Sequence, residues 1–294
     1  MSSAGPPEAA KAPLGGSEPR AAGSVGVIVC ADDFAGDAVV SDGILRLARQ
    51  GRISATSAMT LSPRWPQDAA PLRELRGRID VGLHLDWTSE FARAAGHGLP
   101  LGAAMLRALL GGFEPQRAAG VIERQLDAFE SGWQAPPDHV DGHQHVQQFA
   151  GIREALLRVL QRRYGGSPPY LRVSRPPPGR AALKERLIAA LGADALEKIA
   201  ESAGVARAGA LLGIYDFQGD EAAYADRMAA WLGQLRAWPV AVLMCHPASG
   251  LAPGDAIAPA RLREFQYLSG PLWPQALAAC GVHLARGSAL KPAG

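Results

Sequence analysis

From Val25 onward the chain alternates short apolar runs with longer stretches of helical period, and most runs end at an ionisable residue. The runs predict strands at Val25–Cys30, Ala55–Leu61, Asp80–Leu85, His139–Asp141, Tyr170–Val173, Ala210–Tyr215, Val240–Cys245 and Val282–Ala285. Helical patterns fall at Val39–Arg49, Gln116–Phe129, Gly151–Arg163, Ala181–Leu191, Glu221–Trp238 and Pro271–Ala279. Strand–helix repetition of this kind builds a mostly parallel sheet covered by helices. The expected fold is a single α/β domain over residues 24–294, a closed or slightly broken (β/α) barrel of seven or eight mostly parallel strands. A doubly wound open sheet is the alternative, because periodicity does not reveal closure. Two stretches break the alternation. Trp87–Pro115 is long and glycine-rich, and predicts a loop or small helical excursion over the barrel mouth; Arg175–Gly179 contains three prolines and predicts a stiff linker.

Composition narrows the function classes. The chain has 294 residues, 48% of them hydrophobic, enough to bury a sizeable core. A net charge of +2, without a basic stripe interleaved with aromatics, argues against a nucleic-acid partner. No apolar run approaches the roughly 18 residues of a transmembrane segment. Cys30, Cys245 and Cys280 are scattered, odd in number and free of any CxxC pairing, which suits a reducing, cytoplasmic setting. Residues 1–23 are rich in Ala, Gly, Pro and Ser and lack the apolar centre of a secretory signal, so a disordered N-terminal tail is expected there. The sequence is also compatible with a homodimer.

The chemistry concentrates at the predicted C-terminal strand ends. Asp32 and Asp33 follow the first strand, His84 ends the third, and Asp141, His143 and His145 follow the fourth. Arg172 and Arg175 end the fifth, Tyr215 and Asp216 the sixth, and His246 the seventh. That is the face on which barrel enzymes assemble their sites. Helix capping accounts for Asp37, Asp42 or Asp216 but not for histidines at three separate strand ends. Imidazoles and carboxylates gathered in this way are what a divalent metal needs. Neighbouring residues on a strand point in different directions, so Asp32 and Asp33 would divide the work, one on the ion and one handling protons. His139 reads as a structural or supporting group. His97 and His283 have no motif beside them.

The motifs ADDF at 31–34, SATSAM at 54–59, VGLHL at 81–85, HVDGHQH at 139–145 and MCHP at 244–247 occur in an order that resembles the YdjC-like carbohydrate deacetylases. The resemblance runs from Val25 to Arg286. It implies a distorted barrel, one divalent ion held by Asp, His and His, and hydrolysis of N-acetyl groups on an amino-sugar substrate, whether an oligosaccharide or a glycolipid. Carried onto this chain, the metal ligands are Asp33, His84 and His143, with Asp32 as general base and His246 as candidate acid. The chain departs from the pattern at Ala35, which intervenes before Gly36, at Gln147, where many members carry His, and at Asp86-Trp87 after the GLHL strand.

The chemistry these residues imply is attack of a metal-activated water on an amide. Asp32 takes the water's proton, Arg172 or Arg175 helps to stabilise the oxyanion, and His246 protonates the leaving amine. The ligand set suits zinc, with magnesium an alternative. Trp87, Tyr215 and Phe217 could offer aromatic faces to a sugar, although core packing explains them equally. A metal-dependent phosphoesterase would use overlapping ligands and is the competing enzyme reading. A non-catalytic carbohydrate-binding protein is the competing reading from another class, but it would not need Asp32 and His246. A metal-free glycosidase needs its carboxylates about 5–9.5 Å apart across the bond, which sequence neighbours supply poorly. A Cys245–His246 nucleophile fails because adjacent strand residues face opposite ways.

Overall fold

The computed structural model describes residues 24–177, 182–235 and 240–289. The predicted tail at 1–23 lies outside them, as do the end of the proline-rich linker and the last residues of the predicted Glu221–Trp238 helix. The strands are β1 (Val25–Phe34), β2 (Ala55–Ala58), β3 (Asp80–Leu85), β4 (His139–Gly142), β5 (Tyr170–Leu171), β6 (Ala210–Leu212), β7 (Ala241–Cys245) and β8 (Val282–Leu284). All pair in parallel, in the order β5-β4-β3-β2-β1-β7-β6, with β8 added to β1. The two end strands approach each other without a full ladder. Leu171 N–H donates to Ala206 O at 2.9 Å and Ala208 N–H to Leu171 O at 3.0 Å, just ahead of β6. The sheet is therefore a distorted, incompletely closed barrel, as expected, and not the doubly wound open sheet that was the alternative.

β1 is the hub. Its ten residues outrun its neighbours, so Val25–Val27 pair with β8 while Val27–Ala31 pair with β7 along the same edge. Helices wrap the outside: α1 (Ala38–Arg49), α2 (Trp65–Arg73), α3 (Glu90–Ala94), α4 (Leu101–Leu109), α5 (Pro115–Trp133), α6 (Ile152–Tyr164), α7 (Leu183–Ala190), α8 (Ala193–Ser202), α9 (Glu221–Gln234), α10 (Ala258–Ser269) and α11 (Leu272–Cys280). Helices α1, α5 and α6 turn an apolar stripe inward. α1, for example, buries Val40, Ile44, Leu47 and Ala48, and Asp37 caps it by accepting from Val39 N–H at 2.9 Å. Between the helices and the sheet, Trp65 of α2 stacks on Phe129 of α5 at 5.5 Å.

The Trp87–Pro115 stretch contains α3 and α4, the small helical excursion expected there. α2, α8 and α10 were not predicted. α2 carries Pro66 and Pro71, and α10 opens on Ala-Pro, so neither shows a clean helical signal in sequence. β5 is shorter than predicted: Leu171 itself makes the seam bonds to residues 206 and 208, and Arg172 N–H makes a last bond to β4, at Val140 O, 3.1 Å.

Candidate metal and catalytic site

The site begins with a defect at the end of β1. Between Ala31 and Phe34 the pairing with β2 shifts by one residue, a bulge, and Asp33 adopts φ 68°. The bulge breaks strict alternation, so two successive carboxylates reach the same space. His84 Nε2 lies 3.4 Å from Asp33 Oδ1 and 4.0 Å from Asp32 Oδ2. A non-glycine residue in the left-handed region is uncommon and is tolerated where the surroundings enforce it. Here Gly36 N–H closes the turn on Asp33 O at 2.9 Å, and Ala35 N–H donates to Ser41 Oγ at 3.0 Å.

β3 and β4 bring the next residues. His84 and Asp141 are register partners across these strands, and His84 Nδ1 sits 2.6 Å from Asp141 Oδ1. The other oxygen of Asp141 accepts from Ser57 Oγ at 2.5 Å and is 3.0 Å from Arg172 Nη1. His139 supports this group from below. Its Nε2 is 3.1 Å from Ser57 Oγ, and its ring stacks on Tyr170 at 5.1 Å. Gly82 is required at this point, since a Cβ there would lie 2.3 Å from the His139 ring. After β4 the chain turns into a 3-10 segment, His143–Gln148, in which Gln144 and His145 take positive φ. The turn swings His143 toward β1, where its Nδ1 is 3.0 Å from Asp33 Oδ1.

Two arginines balance the carboxylates. Arg172, 1% exposed, grips Asp32 bidentately, Nη1 to Oδ1 at 2.7 Å and Nη2 to Oδ2 at 2.8 Å. Arg261 of α10 donates to Asp33 Oδ2 at 2.6 Å and to Asp255 Oδ2 at 2.7 Å. Burial pushes the Asp33 carboxyl up, but Arg261 and His143 outweigh it and hold the group well below the usual carboxylate range. Burial works against a charged His84, yet Asp141 and Asp32 carry it up to about 10. Its ring is thus framed by three carboxylates, an environment that attracts positive charge to Nε2.

His246 follows β7 and closes the site opposite His84. Its Nε2 is 3.9 Å from Asp32 Oδ2, its backbone N–H donates to Glu264 Oε2 at 2.6 Å, and Phe217 meets its ring edge-on at 5.4 Å. Burial pushes this imidazole down to about 4 despite Asp32 and Asp33. His145 stands beside the cluster with Nδ1 2.9 Å from Ser174 Oγ; burial and the nearby Arg172 push it well down as well.

One atom each from Asp33, His84 and His143 can be chosen so that all three lie within 4.8 Å of one another. Two other combinations are equally compact, Asp32/His84/Asp141 and Cys30/His139/Asp141. They fit a metal less well. The Arg172 guanidinium already lies between the Asp32 and Asp141 carboxylates, a cation that would repel a metal there, and burial pushes the Cys30 thiol well above its ordinary value, against the thiolate that a metal binds. The donor set Asp33, His84 and His143 fits a divalent ion: two imidazoles and a carboxylate, one imidazole anchored through its second nitrogen by a buried carboxylate.

Other expected site residues are placed elsewhere. Arg175 points to α8, where it pairs with Asp194 at 2.6 Å and with Glu197, away from the cluster. Trp87 is 2% exposed and packs on His97 and Phe113, so its face is not open to a sugar. Tyr215 is also buried, its hydroxyl donating to Glu264 Oε1 at 2.6 Å. Gln147 supports the turn by donating to Arg172 O and Ser174 Oγ. Sequence reasoning did not single out Arg261 or Glu264. Their spacing of three residues on one helix face was the available signal, and without a predicted α10 it carried no weight. A cleft of about 470 Å³ opens onto the cluster, lined by Asp33, His143 and Arg261 and, from the excursion, by Ser89, Phe91 and Arg93.

Fold and site together define a (β/α)-barrel protein with a buried Asp/His cluster at the C-terminal strand ends. The family described as YdjC-like protein matches residues 26–279, and the chain belongs to that family. Among solved structures, a protein from Enterococcus faecalis named provisionally for cellobiose-phosphate cleavage superposes with a TM-score of 0.69. It is 19% identical, over 90% of this chain and 98% of that one. An uncharacterised protein from Agrobacterium tumefaciens superposes with a TM-score of 0.57 at 14% identity, over 95% of this chain and 92% of its own. Both likenesses speak to the fold. No curated protein matches the chain.

Proposed function

We propose that this chain is a metal-dependent carbohydrate N-deacetylase, with Asp33, His84 and His143 holding one divalent ion. The observation that carries the reading is convergence. Three ligand-type side chains from three strand ends meet within 4.8 Å, and Asp32 and His246 face each other beside them at 3.9 Å. Membership of the YdjC-like family supports the same reading. A divalent ion supplies Lewis-acid polarisation of the amide carbonyl and acidifies a water.

The chain's own residues do the rest. Arg172 fixes the Asp32 carboxylate so that Oδ2 faces the cluster, where it can take the proton of an attacking water. Asp141 holds the His84 ring through Nδ1 and leaves Nε2 toward Asp33. Arg261 occupies Asp33 Oδ2 and leaves Oδ1 facing the two histidines. In this reading the proton that Asp32 takes from the water is relayed to His246 Nε2, 3.9 Å from Asp32 Oδ2, and from there to the departing amine nitrogen. His246 and Asp32 come from strands adjacent in the sheet, so their separation is set by backbone pairing.

The test is metal analysis of the purified protein, followed by acetate-release assays on a panel of N-acetylated sugars with and without added zinc or magnesium. Acetate release that depends on the ion is the expected result. Phosphate release from phosphoesters without acetate release would transfer the same ligands to a phosphoesterase.

A further inference from the structure

Phe91 is the aromatic residue that the core leaves out. Every other described phenylalanine, tyrosine and tryptophan packs into the hydrophobic core or against it, Trp87, Tyr215 and Phe217 included. Phe91 does neither, and among the described residues no other ring or cation lies over it. It stands half-buried in the wall of the cleft of about 470 Å³ that opens onto Asp33 and His143. Among the described residues, no other phenylalanine, tyrosine or tryptophan lines that cleft.

The short helix α3, which carries Phe91, is a fixed ledge. Asp86, buried just after β3, accepts from the N–H groups of Thr88 and Ser89 at 3.0 and 2.9 Å. Ser89 Oγ donates to the same carboxylate and accepts from Phe91 N–H at 3.0 Å, which starts the helix. At the other end Gly98 N–H donates to Ala92 O at 2.9 Å, in an approach so close that a Cβ on Gly98 would lie 2.3 Å from Arg93 N. The ledge is thus tied to the end of the strand that carries His84, and it holds Phe91 at a set place beside the cluster. An apolar ring held rigidly in a cleft wall, outside the core, is a ligand contact in form.

We infer that Phe91 is the platform against which the substrate lays an uncharged sugar ring. The inference rests on the deacetylase reading of the site. A pyranose turns a face of C–H groups outward, and their slight positive charge is attracted by the electron-rich face of a phenyl ring. The polar lining suits hydroxyls. Arg261 is committed to Asp33 and Asp255, which leaves Arg93 as the other guanidinium of the lining, and it shares the walls with the carboxylates of Asp37 and Glu90. Hydroxyl groups donate and accept, and so use both kinds of partner. A phosphorylated sugar would meet those carboxylates as like charges.

The test compares Phe91→Ala and Phe91→Tyr with the parent on di-N-acetylchitobiose, by acetate release and by calorimetric binding, the latter in an Asp32→Asn background that slows turnover. Phe91→Ala should raise KM about tenfold, while kcat, metal content and melting temperature stay near the parent's, because the same contact is made in the ground and transition states. Phe91→Tyr keeps the ring and should hold KM within about twofold of the parent. An unchanged KM in Phe91→Ala, with acetate released, would overturn the inference and leave the deacetylase reading standing. Sugar binding without acetate release by the parent, weakened about tenfold in Phe91→Ala, would keep the platform and sink the deacetylase reading. A parent that neither binds nor cleaves this sugar, or that binds its 6-phosphate more tightly, would overturn the inference.

Discussion

His84 Nδ1 and Asp141 Oδ1 stand 2.6 Å apart because the residues are register partners on two adjacent parallel strands. The pair fixes the ring's orientation and tautomer, and so decides which nitrogen faces Asp33. Asp141→Asn keeps the shape but removes the charge. Metal affinity should fall about 10–100-fold, the usual cost of losing such a support. Chelator competition on the folded variant measures it. Affinity equal to the parent's would make Asp141 a partner of Arg172 only.

Asp32 is held differently from its neighbour, by both arms of Arg172 rather than among the histidines. Asp32→Asn should therefore retain the ion while turnover drops about 10²–10⁴-fold, the range for loss of a general base. Asp33→Ala, in contrast, should lose the ion and activity together. Metal content and acetate release, measured on the same preparations, separate the two aspartates. Near-normal turnover in a metal-loaded Asp32→Asn protein would remove it from the chemistry.

The division between these residues shows what sequence could and could not carry. Strand ends are legible because apolar runs stop at polar residues, so Asp32, His84, Asp141, His143 and His246 could all be assigned to one face. The bulge at Asp33 was not legible, since nothing in Ala-Asp-Asp-Phe states that the second Asp takes φ 68°. Alternation alone would have separated the two carboxylates. The register that pairs His84 with Asp141 depends on two strands 57 residues apart and leaves no local mark. Arg261 reaches Asp33 from 228 residues away, on a helix opened by a proline. Arg172 and Arg175 look equivalent in sequence, yet Arg172 turns inward to Asp32 and Arg175 outward to α8.

His246 combines proximity to Asp32 with a ring that burial pushes down to about 4, so it is neutral near pH 7. A neutral imidazole acts as an acid only after it has gained a proton within the reaction cycle. His246→Ala should keep the metal and the fold but lose amide turnover about 10²–10⁴-fold. The loss should be much smaller on an activated ester, whose leaving group needs little protonation. Equal losses on both substrates would assign His246 to orientation instead.

Glu264 is 1% exposed and accepts from His246 N–H at 2.6 Å and from the Tyr215 hydroxyl at 2.6 Å. Burial raises its carboxyl from an ordinary 4.5 to about 7, against the lowering effect of those hydrogen bonds and of Arg261. A raised carboxyl binds its proton more tightly when folded than when unfolded. The associated stability is fully present below about pH 4.5 and is lost as pH rises through about 7. The gap corresponds to about 3 kcal/mol. Glu264→Gln stays neutral at every pH and keeps an oxygen to accept from His246 N–H. Its melting temperature relative to the parent should therefore climb between pH 5 and pH 8, by several degrees at the upper end. Thermal melts of both proteins across that range measure the difference. Parallel curves would mean that Glu264 is already ionised throughout, held so by the His246 and Tyr215 donors.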